Sequence, residues 1–257
     1  MSASSAPPGL SDEQLPELIE LMREADSVEL KLTVPESAQY TAATALGLDP
    51  LDAQIRQVYF FDTPDLDLNR RGVVLRARRV QGKGGDSVVK LRPVVPRELP
   101  KALRKSAGFT VEVDAVPGAY VCSGTLKQRV GNNEVRQVMA GARPLEALLS
   151  KTQRAFLSEH APDGLTLDDL SVLGPILVLK LRFGPEGFER RLVAELWMYP
   201  DGSRVLELST KCDPGEAFQA AAETRAFLAE RGVDLHGKQE AKTVKALEFF
   251  ADRLKPA

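Results

Sequence analysis

The chain has 257 residues, 43% of them hydrophobic and 27% charged, and a formal net charge of −2 at pH 7. That balance excludes a general electrostatic pull toward nucleic acid or acidic membranes, so basic residues matter here for where they sit and not for their number. Cys122, Cys212, His160 and His236 supply neither a disulfide framework nor a zinc ligand set, and no apolar run approaches the roughly 20 residues that span a bilayer.

Residues 1–10 are rich in Ser, Ala and Pro and read as a flexible tail, not a signal peptide. Ser11-Asp12-Glu13-Gln14 has the look of a capping box, and Leu15, Leu18, Ile19 and Met22 follow at helical spacing. A strand over Val28–Pro35, a short helix near 37–46 and a strand over Gln54–Phe61 come next. The Asp-, Pro- and Asn-rich stretch from Asp62 to Gly72 is turn chemistry, and Gly82-Lys83-Gly84-Gly85-Asp86 is a hairpin turn. These turns frame strands carrying Arg76 and Arg78, then Lys90 and Arg92. Prolines interrupt 93–106, which reads as a connector before a strand at Phe109–Val113. Residues 143–160 are expected to be a helix burying Leu145, Leu148, Leu149, Ala155 and Phe156. Strands near 176–183, 189–198 and 203–211 form a meander, and helices at about 215–231 and 240–253 end the chain. Residues 11–257 read as one domain.

Charge follows one rule along these strands. In Leu177-Val178-Leu179-Lys180-Leu181-Arg182-Phe183 the two cations share one face and the leucines share the other, because side chains alternate on a strand. Glu29/Lys31, Arg76/Arg78, Lys90/Arg92 and Glu207 with Lys211 repeat the pattern. The Arg-x-Arg and Lys-x-Arg pairs recur with no acidic partner evident nearby in the sequence. Amphipathic helices are available to cover the apolar faces, so the sheet is expected to close around its charged side. Buried cations without counter-charge cost several kcal/mol each, roughly. The reading that resolves this is a water-filled tunnel that admits a polyanion, with Arg forks and Lys point charges matched to phosphate oxygens. Glu29, Glu195 and Glu207 lie on the same faces, and carboxylates among cations suit Mg²⁺ or Mn²⁺ shared with phosphate.

Taken in order, Tyr59-Phe60-Phe61-Asp62-Thr63-Pro64-Asp65-Leu66-Asp67-Leu68 with Gly72, Leu75-Arg76-Ala77-Arg78, Val89-Lys90-Leu91-Arg92, Leu179-Lys180-Leu181-Arg182, Leu206-Glu207-Leu208-Ser209 and Ala241-Lys242-Thr243-Val244-Lys245-Ala246-Leu247 resemble the CYTH domains, or triphosphate tunnel metalloenzymes, from about Val28 to Leu247. The resemblance implies an α+β fold: a closed eight-stranded antiparallel β-barrel with helices packed outside. It implies a divalent-metal-dependent hydrolase of tripolyphosphate, thiamine triphosphate or nucleoside triphosphates, with a class IV adenylate cyclase and a non-catalytic polyphosphate or nucleotide binder as alternatives. Carried over, Lys31, Arg76, Arg78, Lys90, Arg92, Lys180, Arg182 and Lys242 bind phosphates, joined by Lys211 from the strand pattern. Glu29, Glu195 and Glu207 bind Mg²⁺ or Mn²⁺, and Glu29 or Glu207 accepts the proton of the attacking water. The expected partner is a triphosphate or polyphosphate small molecule in a cytoplasmic setting, without nucleic acid or membrane; a homodimer is left open. Three positions depart from the family pattern. Ser27 replaces the first Glu of Glu-x-Glu-x-Lys, Trp197 follows Glu195 where an acid is expected, and Ser209 follows Glu207 likewise. Glu112 and Asp114 are further carboxylates whose place in the barrel the sequence does not determine.

Overall fold

Each strand has one apolar and one charged face, and the sheet resolves this by rolling up. The computed structural model describes residues 14–235, 237, 239 and 241–254. Its strands are β1 (Ser27–Val34), β2 (Gln54–Asp62), β3 (Val73–Val80), β4 (Gly85–Leu91), β5 (Phe109–Val116), β6 (Ala119–Val130), β7 (Ser171–Phe183), β8 (Leu192–Met198) and β9 (Arg204–Cys212). They form one closed barrel in the order β1-β5-β6-β4-β3-β2-β7-β8-β9.

The expected barrel of eight antiparallel strands is corrected in both respects: there are nine strands, and β1 runs parallel to β5. The two corrections are linked. Antiparallel neighbours reverse direction at every step around a closed ring, so an odd number of strands cannot all be antiparallel. The additional strand is β6, whose centre, Cys122-Ser123-Gly124-Thr125, lacks the polar–apolar alternation that marks a strand in sequence. It nevertheless pairs along its length with β5 and β4.

Among the described residues the helices are α1 (Gln14–Arg23), α2 (Gln39–Ala45), α3 (Asp67–Arg70), α4 (Lys101–Arg104), α5 (Asn132–Met139), α6 (Lys151–His160), α7 (Ala217–Glu230) and α8 (Lys242–Leu254). The tail and most of the Ser11–Gln14 helix start lie outside the described residues. The helix expected over 143–160 divides into a 3-10 turn at Leu145–Leu148 and α6. Ser150 makes the break: its Oγ accepts from the Gln153 backbone N–H, and the Gln153 side chain accepts from the Ser150 N–H, both at 3.1 Å. Such a box starts a helix and so ends whatever precedes it. Leu148, Leu149 and Phe156 are buried as expected, while Leu145 is half-buried and Ala155, expected to be buried, is exposed.

Three apolar clusters hold the barrel. One lies between the outer faces of β3–β6 and α1, α5 and α6, and a second between β1, β8, β9 and helices α2 and α7. The third is different, because Val58, Val74, Val178 and Trp197 face inward and meet Ala246 and Leu247 of α8. α8 therefore plugs one end of the barrel and delivers its first residue, Lys242, to the interior. Both cysteines are free and buried, as their expected packing role requires.

The turn before β3 is built around Asp62, whose buried carboxylate accepts the backbone N–H groups of Thr63, Leu68 and Asn69 at 2.8–3.0 Å. Gly72 ends it with φ of +75°, and a Cβ there would lie 2.1 Å from the carbonyl oxygen of Arg92. Gly72→Ala combines left-handed strain with a backbone overlap, so it should cost about 2 kcal/mol or more in chemical denaturation.

Candidate functional site: a charged cavity inside the barrel

The inward faces enclose a cavity of about 550 Å³, within the ordinary range for small-molecule sites. Among the described residues eight cations line it: Lys31 from β1, Arg56 from β2, Arg76 and Arg78 from β3, Lys90 and Arg92 from β4 and just beyond, Lys180 from β7 and Lys242 from α8. Five carboxylates join them: Glu29, Glu112, Asp114, Glu195 and Glu207. Of the phosphate-binding residues named from sequence, Arg182 and Lys211 are not part of this lining. Arg182 is exposed, and Lys211 is 59% exposed in its side chain and pairs with Glu112.

The lysines have acidic partners after all. Lys31 meets Asp114 at 2.7 Å and Glu29 at 3.1 Å, and Lys90 takes the other Asp114 oxygen at 2.9 Å. Lys180 meets Glu195 at 2.7 Å, while Lys242 bridges Glu195 and Glu207. These partners escaped the sequence because they come from neighbouring strands: Asp114 stands opposite Glu29 in the parallel β1–β5 pair, and Glu195 lies between Lys180 and Glu207 across β7, β8 and β9. Arg78 forms a two-pronged bond with Asp86 at 2.7 and 2.8 Å.

The remaining arginines differ. Among the described residues, Arg56, Arg76 and Arg92 have no carboxylate within ion-pair distance, and the buried Nε of Arg76 has no hydrogen-bond partner. Burial, reinforced by repulsion from Arg78, pulls Arg76 down to about 9. Burial likewise lowers Arg56, with Arg78 adding to it. The carboxylates behave oppositely. Burial alone would raise Asp114, but Lys31 and Lys90 outweigh it and hold the group well below its ordinary value. Glu195 is lowered against its burial by Lys242 and Lys180, and Glu29 chiefly by Lys31. The interior thus has a neutralised lysine–carboxylate wall and an arginine wall whose charge is uncompensated.

The three positions that depart from the family pattern carry neutral donors, and each donates to a cavity carboxylate. Ser209 Oγ donates to Glu29 at 3.0 Å, Trp197 Nε1 to Glu195 at 3.2 Å, and Ser27 Oγ to Glu112 at 3.3 Å. Of the residues expected to hold metal, Glu195 and Glu207 converge on Lys242. Glu29 instead groups with Glu112 and Asp114, one oxygen from each lying within 4.8 Å of the others. Three hard oxygen donors so placed suit Mg²⁺ or Mn²⁺, although Lys31, Lys90, Ser27 and Lys211 already engage them. Arg56 carried no paired-charge signal in sequence; the polar parity of β2 was the one available clue.

No protein-family model and no curated protein matches the chain by sequence. Solved structures do match by fold. The "putative adenylate cyclase" of Bacillus halodurans aligns with a TM-score of 0.59 at 13% identity, over 86% of this chain and 97% of that one. The Hippeastrum protein HpAC1, a "putative adenylyl cyclase" described as having a dominant triphosphatase activity, aligns with a TM-score of 0.57 at 18% identity, over 84% and 93%. The chain therefore shares the fold of these two proteins, here a closed barrel with a charged interior.

Asp114 is the centre of the lysine–carboxylate wall. Asp114→Asn leaves Lys90 without a partner among the described residues and should lower the unfolding free energy by about 3 kcal/mol. The native Asp114 is more acidic than an unfolded one (~3.9). Its contribution is therefore complete above about pH 4 and lost as pH falls through the lower native value. Denaturation from pH 7 to pH 2 should show the wild type losing stability in that acid range and Asp114→Asn losing less.

Proposed function

We propose that this CYTH-type tunnel binds the triphosphate moiety of a small molecule and that the protein hydrolyses it with the help of a divalent cation. The observation that carries the reading is the set of unpaired arginines: among the described residues Arg56, Arg76 and Arg92 line the cavity with no carboxylate at ion-pair distance, an excess that an anion would balance. Phosphate chains supply several negative charges and acceptor oxygens matched to guanidinium forks. The activity described for the Hippeastrum protein supports hydrolysis over cyclisation.

Glu29, Glu112 and Asp114 would hold the cation. Bound there, Mg²⁺ or Mn²⁺ would offset charge on phosphate oxygens and acidify a water molecule. Glu29, which pairs with Lys31, would accept a proton from attacking water. Lys31 and Lys90, on the same wall, would contact the phosphate nearest the cation. The arginines would stabilise the charge that develops on the leaving group, the kind of preorganised electrostatic stabilisation that often dominates catalysis. Glu207 and Glu195 fix Lys242 at the plugged end.

A second reading is a binder that takes its anion without metal. The hydrogen bonds from Ser27, Ser209 and Trp197 favour it, because they occupy carboxylate oxygens that a cation would use. Calorimetry with tripolyphosphate, in Mn²⁺ and in chelator, separates the two: affinity insensitive to chelator, with no turnover, selects the binder.

For the hydrolase, purified protein with Mg²⁺ or Mn²⁺ should release phosphate from tripolyphosphate, and phosphate or pyrophosphate from thiamine triphosphate or ATP. Glu29→Gln should slow release by about 100-fold or more. No release from any of the three with either metal would sink the hydrolase, and cAMP from ATP would select the cyclase. Ser27→Glu places a fourth carboxylate beside Glu112 and should tighten Mn²⁺ binding about tenfold, read by calorimetry without substrate.

A further inference from the structure

Arg56 belongs to none of the charged pairs along the strands, yet it faces the cavity from β2. Its neighbour across the β2–β3 ladder is the strand that carries Arg76 and Arg78, with Val58 opposite Arg78. Gln54 Oε1 accepts from Arg56 Nε at 3.1 Å and from Nη2 at 2.6 Å. That two-point hold fixes the plane of the guanidinium through one edge and leaves Nη1 uncommitted among the described residues. Burial and repulsion act on Arg56 and Arg76 together, and the carboxylates that could relieve them are already engaged: Asp86 by Arg78 and Lys127, and Glu195 by Lys180 and Lys242. Here, three guanidinium groups from adjacent strands converge on one pole, where Arg78 is paired with Asp86 and Arg56 and Arg76 have no carboxylate at ion-pair distance among the described residues.

The phosphates of a triphosphate are not equivalent. A bridging phosphate carries one negative charge, whereas a free terminal phosphate has a second ionisation near pH 6 and carries almost two, with three acceptor oxygens. The carboxylates of β1 and β5 disfavour that doubly charged end, and the arginine pole favours it. We propose that Arg56, together with Arg76 and Arg78, forms a subsite for a free terminal phosphate, and that Arg56 makes the tunnel selective for triphosphates with an unesterified end. This rests on the triphosphate reading above and adds the ligand's orientation and a specificity residue to it.

The test is calorimetric binding to the full chain, in chelator, of tripolyphosphate (two free ends), ATP (one) and diadenosine 5′,5‴-triphosphate (none). The wild type should bind the first two about tenfold or more tighter than the third, the difference expected for charge-assisted hydrogen bonds to one extra charge. Arg56→Gln should weaken tripolyphosphate and ATP by about that factor and leave the dinucleotide nearly unchanged, so that the preference disappears, while Arg56→Lys recovers part of it. A wild type that binds all three equally overturns the subsite. So does Arg56→Gln that keeps the preference, or that weakens all three alike while retaining the wild-type melting temperature. A wild type that binds tripolyphosphate but shows no preference defeats this proposal alone; one that binds only in Mn²⁺ is judged by the same preference there, and one that binds none of the three in either condition defeats the triphosphate reading with it.

Discussion

Charge balance inside a closed wall is the constraint on which the rest of this structure depends. Cations taken out of water without counter-charge are costly, and a barrel lined on every strand multiplies that cost. The protein meets it unevenly. Lys31, Lys90, Lys180 and Lys242 each find a carboxylate from another strand or helix, and Arg78 finds Asp86. Among the described residues, Arg56, Arg76 and Arg92 do not. The paired set makes the barrel viable as a fold, while the unpaired set leaves a local excess that only a ligand or solvent can answer. Paired and unpaired charges therefore share one surface and even one strand, as Arg78 and Arg76 do on β3.

The barrel's odd strand number has a chemical consequence. Nine strands require a parallel neighbour pair, and it is β1 and β5 that supply it. That pairing sets Glu29 opposite Asp114 and Ser27 opposite Glu112, and so assembles the acidic cluster on one wall. With β6 absent and a purely antiparallel ring, those carboxylates would not be juxtaposed in this way. Glu112 and Asp114 bring carboxylates from β5 beside Ser27, one of the three positions where an acid is missing. Neutral donors at those three positions orient the carboxylates that remain.

How much of this was legible beforehand differs from residue to residue. Lys31, Arg76, Arg78, Lys90, Arg92 and Lys180 were readable as cavity residues, since strand parity assigns a face locally and each has a charged or apolar neighbour to set the phase; Lys242, on a helix, was named only through the family resemblance. Arg182 and Lys211 obey the same parity yet lie at the margin, because parity says which way a side chain points and nothing about its depth along the barrel. Arg56 was missed because one charge on a strand sets no pattern. β6 was missed because small residues at its centre erase the alternation, and α6 began late because Ser150 caps it.

The sequence by itself determined the faces: which side of each strand is charged, that the charge is predominantly basic, and that the apolar sides need helical cover. These are consequences of a two-residue period and of hydrophobic burial, both local in the chain. Only the tertiary structure decided the partners. Whether a lysine is neutralised or an arginine left bare depends on which strands are neighbours and in what register, and those pairings join residues as far apart as Lys31 and Asp114, or Glu195 and Lys242. Long-range contacts of that kind leave no periodic trace in a single chain, so the balance of charge that defines the site appears only once the ring is closed.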